Sequence, residues 1–183
     1  MKYSKKEGGG MKRILEKHGV KPEYVKWIDK PIERDFIRLL IEEIDKLLPT
    51  TEIFGFIITS GGGNPDQSLS LVDYIRTNRI RVITLALGAV GSAAIDILEL
   101  GEKRLMTKNS SLMLHEGVTS QEKDTLTNVA SYAKYIEMIR NVRFKLWAKR
   151  TGKPLKTLLQ DCRLDRYFTA QEAKEYGLID EVI

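Results

Sequence analysis

Cysteine is almost absent from this 183-residue chain: Cys162 stands alone, which excludes an intramolecular disulfide and a thiolate metal cluster and agrees with a reducing compartment. Histidine is nearly as scarce, with only His18 and His115, so a histidine-rich metal site is excluded as well. No apolar run approaches the roughly 18 residues that a bilayer-spanning helix needs, and the basic N-terminal residues are not followed by an apolar signal core. The expected location is therefore cytoplasmic, with no membrane partner. Phosphate-binding G-x-x-x-x-G-K-[ST] is missing, so the chain does not hydrolyse nucleotides by that device. What remains is ordinary for a single globular domain, 42% hydrophobic and 30% charged residues with a net charge of +5.

The positive excess is concentrated near the start, in Lys2, Lys5, Lys6, Lys12, Arg13 and Lys17, around the glycine triplet Gly8-Gly9-Gly10. We read residues 1–22 as a basic, flexible, solvated N-terminal segment carrying a possible short helix from Met11 to His18. No aromatic residues interleave its charges to stack bases, so no nucleic-acid partner is expected. The folded body is expected over residues 23–183.

Within that body, strand and helix patterns alternate. Glu23 to Ile28 alternates as a strand does, and Phe36, Ile37, Leu40, Ile41, Ile44, Leu47 and Leu48 recur at helical spacing. Ile53 to Thr59 is a near-continuous apolar run, the signature of a strand buried on both faces of a parallel sheet. Ser60-Gly61-Gly62-Gly63 follows, then a helix carrying Leu69, Val72 and Ile75. Arg81 to Leu87 predicts another buried strand, Ala93 to Leu100 a helix stopped at Gly101, and Arg104 to Met106 and Leu112 to Leu114 two short strands around a polar turn. A long helix is predicted from about Glu122 to Arg150, with Leu126, Val129, Ala133, Ile136, Ile139, Val142 and Leu146 on one stripe. Thr151-Gly152-Lys153-Pro154 stops it and starts a short helix to Leu159, and a last helix runs from Ala170 to Tyr176 before Gly177. Both tryptophans, Trp27 and Trp147, are read as core or interface. Such alternation calls for a layered βαβ fold with right-handed crossovers.

In open α/β sheets, sites gather at the carboxyl ends of strands. Three loops with suggestive chemistry leave strand ends here: Ser60 to Gly63, Gly88 to Ser92, and His115-Glu116-Gly117. Ser92 lies between an apolar strand and an apolar helix among small residues, where its hydroxyl is exposed and unpaired N–H groups at the helix start can hold an oxyanion. An ordinary helix N-cap packed between glycines is the alternative reading of that segment. A serine nucleophile needs a base, and His115 is the only histidine of the body; the histidine needs an acid to fix its tautomer, for which Asp165 is the candidate among 25 acidic residues.

Several stretches together resemble the proteolytic-subunit family of the Clp protease, within the ClpP/crotonase superfamily. Ile58-Thr59-Ser60-Gly61-Gly62-Gly63 is similar to the family's I-N-S-P-G-G loop, Gly88 to Ala94 to its G-x-x-x-S-x-x turn, Met113-Leu114-His115-Glu116 to M-I-H-Q, and Thr151 to Leu155 to T-G-x-P-L. Asp161 to Tyr167 followed by Thr169 to Asp180 resembles D-x-x-R-D-x-F/Y and S-A-x-E-A-x-E-Y-G-L-V-D. The resemblance implies an α/β ClpP/crotonase-like layered βαβ superhelix with a protruding long-helix handle at about residues 116–150. It implies a serine endopeptidase with Ser92, His115 and Asp165 as the catalytic residues and the backbone N–H groups of Gly63 and Ala93 as the oxyanion hole. It further implies peptide or unfolded-protein substrates, a homo-heptamer or tetradecamer enclosing a chamber, a possible AAA+ unfoldase partner, and no cofactor.

This chain also departs from the family pattern. Gly61 replaces the loop proline, which predicts a looser oxyanion-binding backbone. Asp96 and Glu99 stand in the nucleophile helix where the family has apolar or small residues, and each must be solvated, protonated or paired. Glu116 to Ser120 replaces a glycine-rich segment. Two other readings stay open on this ground: a ring scaffold that no longer turns over, and a crotonase-type acyl-CoA enzyme.

Overall fold

The computed structural model describes residues 9–117 and 125–183. The start of the predicted long helix at Glu122 and most of the segment from Glu116 to Ser120 lie outside the described residues.

Apolar β-branched runs became the central strands. A five-stranded, all-parallel sheet has the order β1 (Val25–Ile28), β2 (Ile53–Ile58), β3 (Arg81–Ala86), β5 (Lys103–Met106), β8 (Glu181–Val182). Between its strands run α2 (Arg34–Leu47) and α3 (Pro65–Thr77), the crossovers that parallel neighbours require. Five of the six β2 residues are buried, as a strand covered on both faces should be. A second sheet of three strands holds β4 (Ala89–Gly91), β6 (Ser111–Leu114) and β7 (Arg166–Thr169), with β4 and β6 parallel and β7 antiparallel to β6. Between β4 and β5 lies the short helix α4 (Ala93–Leu98), every residue of which is buried.

Two expectations need correction, the strand before Ser92 and the start of the packed body. The strand before Ser92 is not the long run ending at Leu87 but the three-residue β4, which leaves the main sheet after Leu87 and pairs with β6. The two short strands around the polar turn, β5 and β6, belong to different sheets. Packing also begins before Pro22: α1 (Gly9–Glu16) carries Leu15, and Leu15 and Val20 are both fully buried. Gly55 of β2 makes the space, since a Cβ there would lie 2.7 Å from Leu15 Cδ1.

The long helix α5 (Leu126–Thr151) ends at Gly152, whose left-handed φ of 70° closes it. Only Arg143, Phe144 and Trp147 are buried, all near its C-terminal end, while Leu126, Val129, Met138 and Val142 are exposed. The apolar stripe read from the sequence is therefore not covered within this chain over most of its length. Helices α6 (Leu155–Asp161) and α7 (Ala170–Tyr176) complete the fold, the latter started by a capping box of Thr169 and Glu172. No helix among the described residues is long and apolar enough to cross a membrane.

Candidate active site

Two loops and two strand ends converge at one edge of the smaller sheet. Ser92 follows β4 directly and is the residue before α4, with its N–H donating to Met113 O of β6 at 2.9 Å. Its backbone has φ 53° and ψ −125°, a conformation that L-residues rarely adopt and that costs on the order of 1–3 kcal/mol. The Ser92 side chain makes no capping bond to α4, although its carbonyl accepts from Ile95 N–H at 3.0 Å. Ser92 holds the N-cap position, but its hydroxyl is not used as the cap.

His115 stands one residue beyond β6, the strand that pairs with β4, so strand register alone brings the two residues close. His115 Nε2 and Ser92 Oγ are 2.6 Å apart. On the opposite ring nitrogen, Nδ1 lies 3.4 Å from Asp165 Oδ1. Asp165 precedes β7, which pairs with β6 in antiparallel register, Leu114 opposite Arg166, and this brings a residue 50 positions away in the chain to the imidazole. A carboxylate at Nδ1 keeps the proton there and leaves Nε2 to accept from the serine hydroxyl. The acid is the looser member, with its side chain 54% exposed and at ion-pair distance rather than in a short hydrogen bond.

Burial holds His115 below the usual histidine range, Arg143 adds to that, and Asp165 and Glu116 oppose it. The imidazole is accordingly neutral near pH 7, the state a base requires.

The glycine loop is pinned rather than loose. Ser60 Oγ donates to Lys30 O at 2.7 Å and accepts from Gly62 N–H at 3.2 Å, Gly62 O accepts from Ile32 N–H at 2.9 Å, and Asn64 N–H donates to Ile32 O at 2.8 Å. Gly62 has φ 107°, and a Cβ there would stand 2.7 Å from both Gly91 O and Ser92 Cβ, so only glycine lets the loop lie against the serine. In the bridge between Ile32 and Gly63 the flanking groups of Gly62 and Asn64 make the bonds, which leaves the Gly63 N–H directed away from Ile32. Ala93 is the first residue of α4, where an N–H has no intrahelical acceptor. Neither N–H has an acceptor among the described residues.

Asp96 and Glu99, the two acids of the nucleophile helix, are both buried and paired. Asp96 meets Arg143, and Glu99 meets Arg104 at 2.8 Å, with Arg150 Nε 3.5 Å away. Sequence reasoning missed the arginine partners. For Asp96 the signal was Arg143, which stands beside Phe144 and one turn from Trp147 among the three buried residues of α5, where a cation must find an anion.

Fold and site together define a mixed α/β protein whose serine hydroxyl is bonded to an imidazole at a strand end, beside two free backbone donors. The Clp protease family matches over residues 14–183, and the chain belongs to that family. Among named relatives, it is 34% identical over 131 residues to the ATP-dependent Clp protease proteolytic subunit of Pleurastrum terricola, covering 70% of this chain and 66% of that one. It is 32% identical over 147 residues to the ATP-dependent Clp protease proteolytic subunit 1 of Rhodococcus jostii (strain RHA1), covering 79% and 65%. The aligned region thus spans just under two thirds of the length of these relatives.

Proposed function

We propose that this chain is a serine-type endopeptidase of the Clp proteolytic-subunit kind. The observation that carries the reading is the 2.6 Å contact between Ser92 Oγ and His115 Nε2, made by a serine held at φ 53°. In the proposed reaction, His115 Nε2 takes the hydroxyl proton as Ser92 Oγ attacks a peptide carbonyl carbon. Negative charge on the carbonyl oxygen is received by the N–H groups of Gly63 and Ala93, and Asp165 holds the resulting imidazolium. The imidazolium then gives its proton to the leaving amine, and water, deprotonated by the same histidine, releases the acyl group and restores the serine. No cofactor enters these steps. The substrates are peptides or unfolded protein segments, and the working particle is a homo-heptamer or tetradecamer in which the exposed apolar residues of α5 lie between subunits. An AAA+ unfoldase would supply folded substrates as unfolded chain.

Labelling with a fluorophosphonate probe, wild type beside Ser92→Ala, tests the chemistry, and light scattering on the same samples tests the assembly. Probe adduct on Ser92, absent from the variant and carried by a ring-sized particle, is the expected result. A wild-type ring that takes up no probe would overturn the peptidase reading in favour of a scaffold.

A further inference from the structure

No residue of α5 before Arg143 is buried, yet this outer part of the helix reaches back to the segment that carries the glycine loop. Tyr135, 38% exposed, donates its hydroxyl to Asp66 Oδ1 at 2.6 Å across 69 positions of the sequence. That bond pushes the hydroxyl up to about 12, so it keeps its proton and remains a donor through the neutral range. A donor to an ionised acceptor makes a stronger bond than two neutral groups do.

Asp66 is the second residue of α3, and its N–H donates to Oδ1 of the N-cap residue Asn64 at 2.9 Å. Asn64 in turn gives its own N–H to Ile32 O at 2.8 Å, while Ile32 N–H returns to Gly62 O at 2.9 Å. Gly63 is held between those two bonds. Consecutive hydrogen bonds therefore run from Tyr135 through Asp66 and Asn64 into the loop. On its far side the loop abuts the nucleophile: a Cβ on Gly62 would stand 2.7 Å from Ser92 Cβ and 2.9 Å from Ala93 N. Nothing there is slack enough to absorb a shift. Two residues beyond Asp66, Ser68 Oγ lies 2.6 Å from Asp96 Oδ2, and Asp96 accepts from Arg143 and Trp147 of α5. Helix α5 thus grips the start of α3 at two places, in the interior through Asp96 and at the surface through Tyr135.

We propose that Tyr135 is a positioning residue for the reaction: its bond to Asp66 fixes the first turn of α3 and, through Asn64, the loop from which Gly63 offers its N–H to the oxyanion. Donors that stabilise an oxyanion act by being in place beforehand, so a contact that holds their backbone still contributes to rate without touching substrate. The catalytic consequence rests on the peptidase reading; the hold on the loop does not.

The test is hydrogen exchange by mass spectrometry on the full chain, with fluorophosphonate labelling kinetics and light scattering on the same samples. In Tyr135→Phe, peptides spanning residues 59–67 are expected to exchange about 5-fold faster, while those of β2 exchange as in the wild type. Asp66→Ala is expected to do the same, and Asp66→Asn, which keeps an acceptor at Oδ1, to restore slow exchange. The maximal rate of labelling at Ser92 should fall about 5-fold in Tyr135→Phe and Asp66→Ala, with the half-saturating probe concentration and the particle size unchanged. The double variant Tyr135→Phe/Asp66→Ala should be no slower than either single one, because both break the same bond. Unchanged loop exchange in Tyr135→Phe, faster exchange throughout the chain, or failure of Asp66→Asn to restore protection would overturn the inference. Faster loop exchange with labelling at the wild-type rate would overturn the positioning role. Faster loop exchange in a chain whose wild type takes up no probe would overturn the peptidase reading and leave the hold of Tyr135 on the loop supported.

Discussion

Glu99→Gln removes a buried charge at the end of α4, and the size of its effect is set by pH. Glu99 is 2% exposed; its Oε2 accepts from Arg104 Nη1 at 2.8 Å, while its Oε1 is buried with no hydrogen-bond partner among the described residues. Burial pushes this carboxyl up from 4.5 to about 7, against the pull of Arg104 and Arg150 and with some help from Asp180. The folded chain therefore keeps a proton that the unfolded chain releases near 4.5. The stability this contributes is complete below that pH and is lost as the pH rises through about 7. The gap of about 2.5 units between those two values is worth about 3 kcal/mol. Glutamine imitates the protonated acid and cannot lose it. Arg104 is not orphaned, because it keeps Asp180 at 2.7 Å and Gly177 O at 2.8 Å. Stability of the variant minus that of the wild type should thus rise from near zero at pH 4.5 to about 3 kcal/mol at pH 8, mostly between pH 5 and 7. Urea unfolding at half-unit pH steps measures this, at fixed subunit concentration because association shifts apparent stability. A difference that stays flat, or falls as pH rises, would refute the reasoning and mean that the arginines hold Glu99 ionised throughout.

Gly62→Ala places a Cβ 2.7 Å from Gly91 O and Ser92 Cβ and 2.9 Å from Ala93 N, all on the segment that aims the serine. Fluorophosphonate labelling is expected to slow by about 100-fold or more with circular dichroism unchanged, and full labelling would show that the loop yields without disturbing Ser92. Trp147→Phe keeps a ring in the core but strips Asp96 Oδ1 of its 2.9 Å donor, at an expected cost of about 1–3 kcal/mol in urea unfolding. No measurable cost would mean that another group takes the vacated acceptor. Leu15→Ala should cost about 2–5 kcal/mol in the same assay, a core-sized loss; a surface-sized change would contradict packing of α1 into the body.

Much of this architecture was legible locally. Ile53 to Ile58 and Val82 to Ala86 announce buried parallel strands because no polar residue but Thr84 interrupts them, and Thr84 satisfies its hydroxyl on Leu98 O at 2.9 Å. The helix at Arg34–Leu47, the break at Thr151 to Pro154 and the helix from Ala170 follow from spacing, proline and glycine at the ends, and a capping box. Residue types at Ser92, His115 and Asp165 were readable as a set only through motif resemblance, since each alone has an ordinary structural use.

Short-range chemistry, then, is what the chain determined by itself: which segments extend, which coil, where they stop, and which side chains could act as nucleophile, base and acid. Tertiary structure decided the rest. Only sheet pairing separates β4 from β3 and sets Ser92 beside His115, and only the antiparallel β6–β7 register brings Asp165 to them. Only packing turns Asp96, Glu99 and Arg143 from surface-type residues into buried, paired groups and sets the half-buried Arg150 against Glu99. The reason is physical: propensity and periodicity act over a few residues, whereas hydrogen-bond register, desolvation and charge pairing depend on which distant segments share the same interior.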